Sequence, residues 1–117
     1  MSLFSPAKKT TRQKLRIIQF GSADWGFTDS SMPKVSSILA KLEEEDVQVW
    51  HNGFTLKFRG EKKKEAFERT KALLEESLSL PEFDGFKIGV AEGESENFID
   101  DGKIAMEALK RRDEEKA

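Results

Sequence analysis

Apolar and polar residues alternate most sharply over Val47 to Arg59, VQVWHNGFTLKFR, where two runs of period two flank Asn52-Gly53. An Asn-Gly pair between alternating runs is the strongest short-range hairpin signal, because both central residues of the favoured turn need positive φ. With Asn52 and Gly53 at the tip, His51 pairs with Phe54, Trp50 with Thr55, Val49 with Leu56, Gln48 with Lys57 and Val47 with Phe58. One face of the hairpin, Val47, Val49, Leu56 and Phe58, is then apolar. The other is polar and carries Trp50.

Before the hairpin, Lys14 to Phe20 is dense in β-formers and apolar at both parities from Ile17 on, which predicts a central strand buried on two sides. Gly21 to Ser31 is a long connection containing Trp25 and Phe27. Loops of that length at strand ends often carry sites, and aromatics in them also serve as lids over a core. Ser31 is placed to cap a helix with Pro33 in its first turn, and Val35, Ile38, Leu39 and Leu42 form a stripe at the helical period. After the hairpin, Glu61 to about Ser79 predicts a second helix, with Phe67, Thr70, Leu73, Leu74 and Leu78 as its buried stripe and Pro81 closing it. Lys62, Lys63 and Lys64 oppose the positive end of that helix, which exposed lysines tolerate at small cost. Asp84-Gly85 turns the chain into a last strand, FKIGVA, with Phe86, Ile88 and Val90 pointing inward. Glu92 to Asp101 reads as an acidic loop running into a third helix, capped by Asn97 with Asp100 three residues on, and Ile104, Ala105, Ala108 and Leu109 on its apolar side.

Strand, helix, two-stranded hairpin, helix, strand and extra helix predict an α+β, ferredoxin-like βαββαβ fold with a further C-terminal helix. Its four-stranded antiparallel sheet has helices on one face. Residues 14–112 form the single domain, 1–13 a flexible basic arm and 113–117 a frayed tail. The sheet face away from the helices carries Gln48, Trp50, Thr55, Lys57, Arg59 and Lys87, with Arg16, Ile18 and Phe20 from the central strand. The topology also brings the loop from Gly21 beside the Asn52-Gly53 turn.

Composition narrows the chemistry. The 117 residues lack cysteine, which excludes disulfides, thiol catalysis and cysteine zinc sites. Charged residues are 36% of the chain and nearly cancel, to a net charge of -2, so bulk charge points to neither nucleic acid nor membrane. The charge is uneven, with five bases and no acid in Met1 to Arg16 and five acids and no base in Glu92 to Asp101. No apolar run reaches the roughly 20 residues of a membrane span, and no signal-peptide core follows the start, so a reducing cytoplasmic setting is expected. His51 is the sole histidine, which excludes two-histidine metal motifs, and a structural or half-exposed role is expected for it. The alternation from Glu92 to Glu96 lacks the glycine and terminal glutamate of a calcium loop.

With these elements in this order, the chain resembles the GGDEF diguanylate cyclases and, more broadly, the nucleotidyl-cyclase and polymerase-palm families. Trp50-His51-Asn52-Gly53-Phe54 stands where Gly-Gly-Asp-Glu-Phe would stand, and Lys87-Ile88-Gly89-Val90-Ala91 is similar to the later Ser-Ile-Gly-Val-Ala strand. The resemblance implies catalytic carboxylates at the first strand's end and the hairpin tip, holding metal ions that bridge triphosphate oxygens. Here Asn52 and Gly53 replace the acids of the turn, and Asp24 is the sole acid near the first strand's end. The expectation is therefore no enzyme, no cofactor and no metal. What the resemblance leaves is a nucleotide edge at Gly21, Ser22, Asp24, Asn52 and Gly53.

The open sheet face remains as the second constellation. RNA-recognition domains share this topology and stack bases on aromatics of the central strands. Phe20 and Trp50, flanked by Arg16, Lys57, Arg59 and Lys87, make a candidate partner or nucleic-acid surface. The leading expectation is a non-catalytic protein-interaction or regulatory module acting through this face or the aromatic loop, with a second copy as one partner. RNA or single-stranded DNA on the same face, or a nucleotide at the degenerate cyclase-like edge, are the alternatives.

Overall fold

The structure, a computed structural model, describes residues 12–42 and 46–114. The arm expected over 1–13 lies almost wholly outside the described residues, as do 115–117 of the expected tail. In chain order the elements are β1 (Gln13–Gly21), α1 (Met32–Ala40), β2 (Asp46–Trp50), β3 (Gly53–Arg59), α2 (Lys64–Ser77), β4 (Lys87–Ser95) and α3 (Phe98–Glu114). Short 3-10 turns at Glu61–Lys63 and Pro81–Phe83 flank α2. The sheet runs β2-β3-β1-β4 with every pairing antiparallel. This is the expected ferredoxin-like arrangement with an additional C-terminal helix.

β1 is central and buried on both faces, and its parity divides the molecule. Ile18 and Phe20 point into the main core with Phe54, Leu56 and Phe58 of β3, beneath Val35 and Ile38 of α1 and Phe67 and Leu74 of α2. Aromatic rings fill that layer: Phe20 stacks on Phe54 at 4.9 Å and meets Phe83 edge-on at 5.2 Å. Leu15 and Ile17 point the other way and pack with Ala91 of β4 and Ala108 of α3. Phe20 and Ile18 are therefore core residues, not members of the open face. Arg16 shares their parity and lies buried beside Glu92 and Glu61, at 3.4 and 3.8 Å, instead of facing a partner. A strand apolar at both parities gives no local cue to which set faces which helix layer.

α3 lies across β1 and β4 and covers half of the sheet face expected to be open. Small residues on β4 make the approach possible. A Cβ on Gly89 would stand 2.2 Å from the Ala108 carbonyl oxygen and 2.3 Å from the Arg112 nitrogen. Gly89 thus lets the helix backbone reach the strand backbone. The helix start follows the expected cap: Asn97 Oδ1 accepts from the Asp100 N–H at 2.9 Å, while the Asp100 carboxylate accepts from the Glu96 N–H at 3.0 Å. The helix continues to Glu114, so Asp113 and Glu114 belong to it and not to a frayed tail.

Three further expectations are corrected. Trp50 pairs with Gly53, Val49 with Phe54, Gln48 with Thr55 and Val47 with Leu56, so His51 and Asn52 form the tip. The slip amounts to two residues in the pairing sum, which changes every partner and leaves every side chain on its face. No non-glycine residue described has positive φ, and Gly53 is held instead by close approach: a Cβ there would lie 2.2 Å from the Phe20 carbonyl oxygen. The expected acidic loop begins as strand, because Glu92 and Glu94 lie opposite Arg16 and Lys14 across β1 and β4. Lys14 Nζ sits 3.4 Å from Glu92, and Arg12 reaches Glu96 at 2.6 Å. Arg12, Lys14 and Arg16 of the basic start and Glu92, Glu94 and Glu96 of the acidic stretch are thus cross-strand partners. Finally, Ser31 precedes α1 without capping it through its side chain; its hydroxyl instead exchanges hydrogen bonds with Thr28.

Candidate functional site

Because α3 covers only β1 and β4, a groove of about 620 Å³ runs beside it over β2 and β3. Its floor comes from the sheet and its wall from α3, with Trp50, Thr55 and Lys57 facing Met106, Ala105 and Arg112. The floor is polar but internally bonded. Trp50 donates its indole N–H to Thr55 Oγ1 at 3.1 Å, and Thr55 donates its hydroxyl to Gln19 Oε1 at 3.0 Å. That relay fixes the indole over the groove while 52% of Trp50 stays exposed. On the helix wall Met106 and, at the entrance, Phe98 are exposed apolar side chains. A half-exposed indole facing a thioether and a phenyl ring offers apolar contact area.

One end of the groove is built around Asp101. Arg59 binds this carboxylate through both terminal nitrogens, at 3.2 and 3.0 Å, Ser95 donates its hydroxyl to it, and Lys57 Nζ lies 3.9 Å away. Burial alone would raise the Asp101 pKa. The hydrogen bonds from Arg59 and Ser95 and the charges of Arg59 and Lys57 together outweigh it and hold the carboxyl below its ordinary value. Arg59 is raised in turn, chiefly by the Asp101 hydrogen bond. At the other end Arg112, buried, donates to Asp113 at 2.9 Å. Arg59 and Lys57 share Asp101 while Arg112 pairs with Asp113, so three cations face two carboxylates and both guanidinium groups are committed to one.

The residues singled out from the sequence divide three ways. Trp50 and Lys57 line the groove, and Arg59 closes its end on Asp101. Lys87 lies on β4, on the far side of α3 from the groove. There it borders a wider hollow of about 1000 Å³ whose rim mixes Lys71, Glu75, Arg111 and Glu114. Arg16 and Phe20 belong to the opposite face, as described above. The groove also uses Gln19, Met106, Asp101 and Arg112, which the sequence did not single out. Asp101 had one legible signal, an acid at a helix start, but its partners come from two other strands.

The expected nucleotide edge is assembled as a contact. Gly21 pairs with Gly53, the Ser22 N–H donates to the Asn52 carbonyl at 3.0 Å, and the Asn52 amide donates to the Ser22 carbonyl at 2.9 Å. The Ser22 hydroxyl oxygen accepts from the N–H groups of Asp24 and Trp25, both at 3.1 Å. These donors are spent on one another. Among the described residues, no three His, Cys, Asp or Glu side chains gather as a metal site. His51 sits exposed at the tip, and its carbonyl accepts from the Phe27 N–H at 2.8 Å. Phe27 itself packs on Phe86 and Phe54, so half of the aromatic loop acts as the expected lid, while Trp25 remains exposed. Among the described residues no helix is long and apolar enough to cross a membrane.

No family model, curated protein or solved structure matches the chain.

Proposed function

We propose that the chain is a protein-interaction module that holds a short peptide segment of a partner in the groove between α3 and the β2–β3 half of the sheet. The observation that supports this most directly is the indole of Trp50, fixed by Thr55 yet half exposed and opposed across the groove by Met106. Rigid aromatics beside a flexible thioether, with polar groups already bonded beneath them, suit an apolar anchor side chain flanked by backbone. The wall from Phe98 to Asp113 is about 22 Å long at the rise of an α-helix, enough for six or seven extended residues. Paired charges at both ends favour a partner segment of low net charge over a polyanion. Nucleic-acid binding needs uncompensated cations along the strand, and Arg59 and Arg112 are already committed to carboxylates.

Selection of a displayed random-peptide library on the immobilised chain tests the reading. Enriched peptides are expected to bind the parent chain and to lose about tenfold or more in affinity with either Trp50→Ala or Met106→Glu, each variant keeping the parent circular dichroism. Failure to enrich any peptide, or binding indifferent to both substitutions, would count against it. Oligouridylate binding with a steep salt dependence that Trp50→Ala removes would instead favour the nucleic-acid alternative.

A further inference from the structure

The two edges of the sheet are finished differently. At β4 the Val90 carbonyl, in the middle of the edge, accepts from Arg111 Nη1 of α3 at 3.1 Å. At β2 the residues are Asp46, Val47, Gln48, Val49 and Trp50, with no proline, lysine or bulge to blunt pairing. Which of them present free backbone groups follows from the neighbouring ladder. The Ser22 N–H donates to the Asn52 carbonyl and the Gly60 N–H to the Lys14 carbonyl, at 3.0 and 2.7 Å. The even-numbered positions of β3 therefore turn their peptide groups toward β1, and Gly53, Thr55 and Lys57 turn theirs toward β2. Their partners Trp50, Gln48 and Asp46 are thereby satisfied. Val47 and Val49 face outward. No loop or cap bond among the described residues reaches their backbone, whereas the next outward carbonyl, that of His51, is already taken by Phe27.

The free stretch is symmetric about Gln48. An antiparallel copy placed on a two-fold axis through Gln48 sets Val47 opposite Val49 of the second copy and Val49 opposite its Val47. Those are the residues whose N–H and C=O groups point outward, so all four inter-copy hydrogen bonds form at once. The valines meet on the face that continues the main core, covering Val49, which is 50% exposed in the single chain. Asp46 falls opposite Trp50 of the second copy, which keeps the two Asp46 carboxylates about 14 Å apart along the strands. A dyad on Val47 or on Val49 would form two bonds and break the valine ladder.

We infer that a second copy of this chain is the partner of β2, giving an eight-stranded sheet centred on Gln48. This goes beyond the groove reading and does not depend on it. It also changes the site. The half-faces left open by each α3 become adjacent, and two grooves merge into one two-fold trough walled by two α3 helices. The distance from β3 to the second copy's β3 is three strand spacings, about 14 Å. Both copies then contribute Trp50, Gln48 and Lys57 to a common floor.

The chain contains no cysteine, which gives a clean test. Gln48→Cys places two thiols opposite each other at a non-hydrogen-bonded pair, with Cα atoms about 4.5 Å apart, within disulfide range. Mild oxidation of Gln48→Cys is expected to give a covalent dimer with the parent melting profile, at least tenfold faster than Lys71→Cys, an α2 control away from β2. In parallel, sedimentation of the parent chain up to about 1 mM, suited to a small interface, is expected to show reversible dimer. Hydrogen exchange at Val47 and Val49 should slow with concentration. Val49→Pro removes one outward N–H while sparing the bonds to β3, and is expected to yield monomer at every concentration. A parent chain monomeric at 1 mM, or Gln48→Cys that crosslinks no faster than the control, overturns the inference. So does a dimer in which the amides of Val47 and Val49 exchange as in the monomer.

Discussion

The two faces of the sheet solve the same problem with opposite materials. Under α1 and α2 the space is filled by large rings, with Phe20, Phe54, Phe58 and Phe83 wholly buried and the helices held at side-chain distance. Under α3 the layer is thinner: Leu15 and Ile17 pack with Ala91 and Ala108, Gly89 lets the helix backbone meet the strand backbone, and the seam ends in the ion cluster of Asp101 with Arg59. An aromatic layer gains its stability from apolar area. A glycine-alanine seam gains it from close packing and depends on there being nothing to clash. A helix seated at backbone distance covers only the strands it touches, here β1 and β4. That leaves the β2–β3 half bare, and with it the groove.

The aromatic side is the more sensitive to truncation. Phe54→Ala removes a ring stacked on Phe20 and is expected to destabilise the whole domain by about 3–5 kcal/mol, read as one cooperative shift in denaturant midpoint. Next is Gly89→Val, whose side chain meets the α3 backbone with no flexible atom to yield. The expected loss is about 2–3 kcal/mol, with amide exchange accelerated in α3 far more than in β1 or β3. Equal acceleration in all elements would show that the two faces are one cooperative unit.

Acid should separate the faces more gently. The Asp101 carboxyl is held below its ordinary value, so the stability it contributes is present above the unfolded-state pKa and is lost as pH falls through the lowered folded value. The α3 seam is therefore expected to loosen toward pH 3 before the aromatic layer does, checked by pH-resolved hydrogen exchange. Arg59→Met should cost about 1.5–3 kcal/mol at neutral pH, the range for hydrogen bonds to a charged group, and should shift the acid transition upward. The smallest effect belongs to Trp50→Ala, about 1 kcal/mol or less in stability because the indole is half exposed, yet with the largest effect on peptide capture. A melting temperature that falls as far as that of Phe54→Ala would mean the indole is structural and would remove the basis of the groove reading.

Element order was legible because it rests on short-range pattern. Alternation marked the hairpin, the helical stripes of Val35 and Ile38 and of Phe67, Thr70 and Leu74 marked α1 and α2, and Asn97 with Asp100 marked the start of α3. Trp50 and Lys57 were legible as candidate groove residues for the same reason, since strand parity placed them on the face opposite the valines. Asp101, Gln19 and Arg112 were not, because each joins the groove only through partners 36 or more residues away or through a helix crossing that no local pattern encodes.

The elements, their order and the face each hairpin residue occupies follow from local pattern alone, from periods of two and 3.6 along a short window. Tertiary structure alone decided which parity of β1 joins which layer, because a strand apolar on both sides carries no asymmetry to read. It also decided that α3 stops halfway across the sheet, because the contact of Gly89 with the backbone of Ala108 and Arg112 is a fact of approach distance and not of composition.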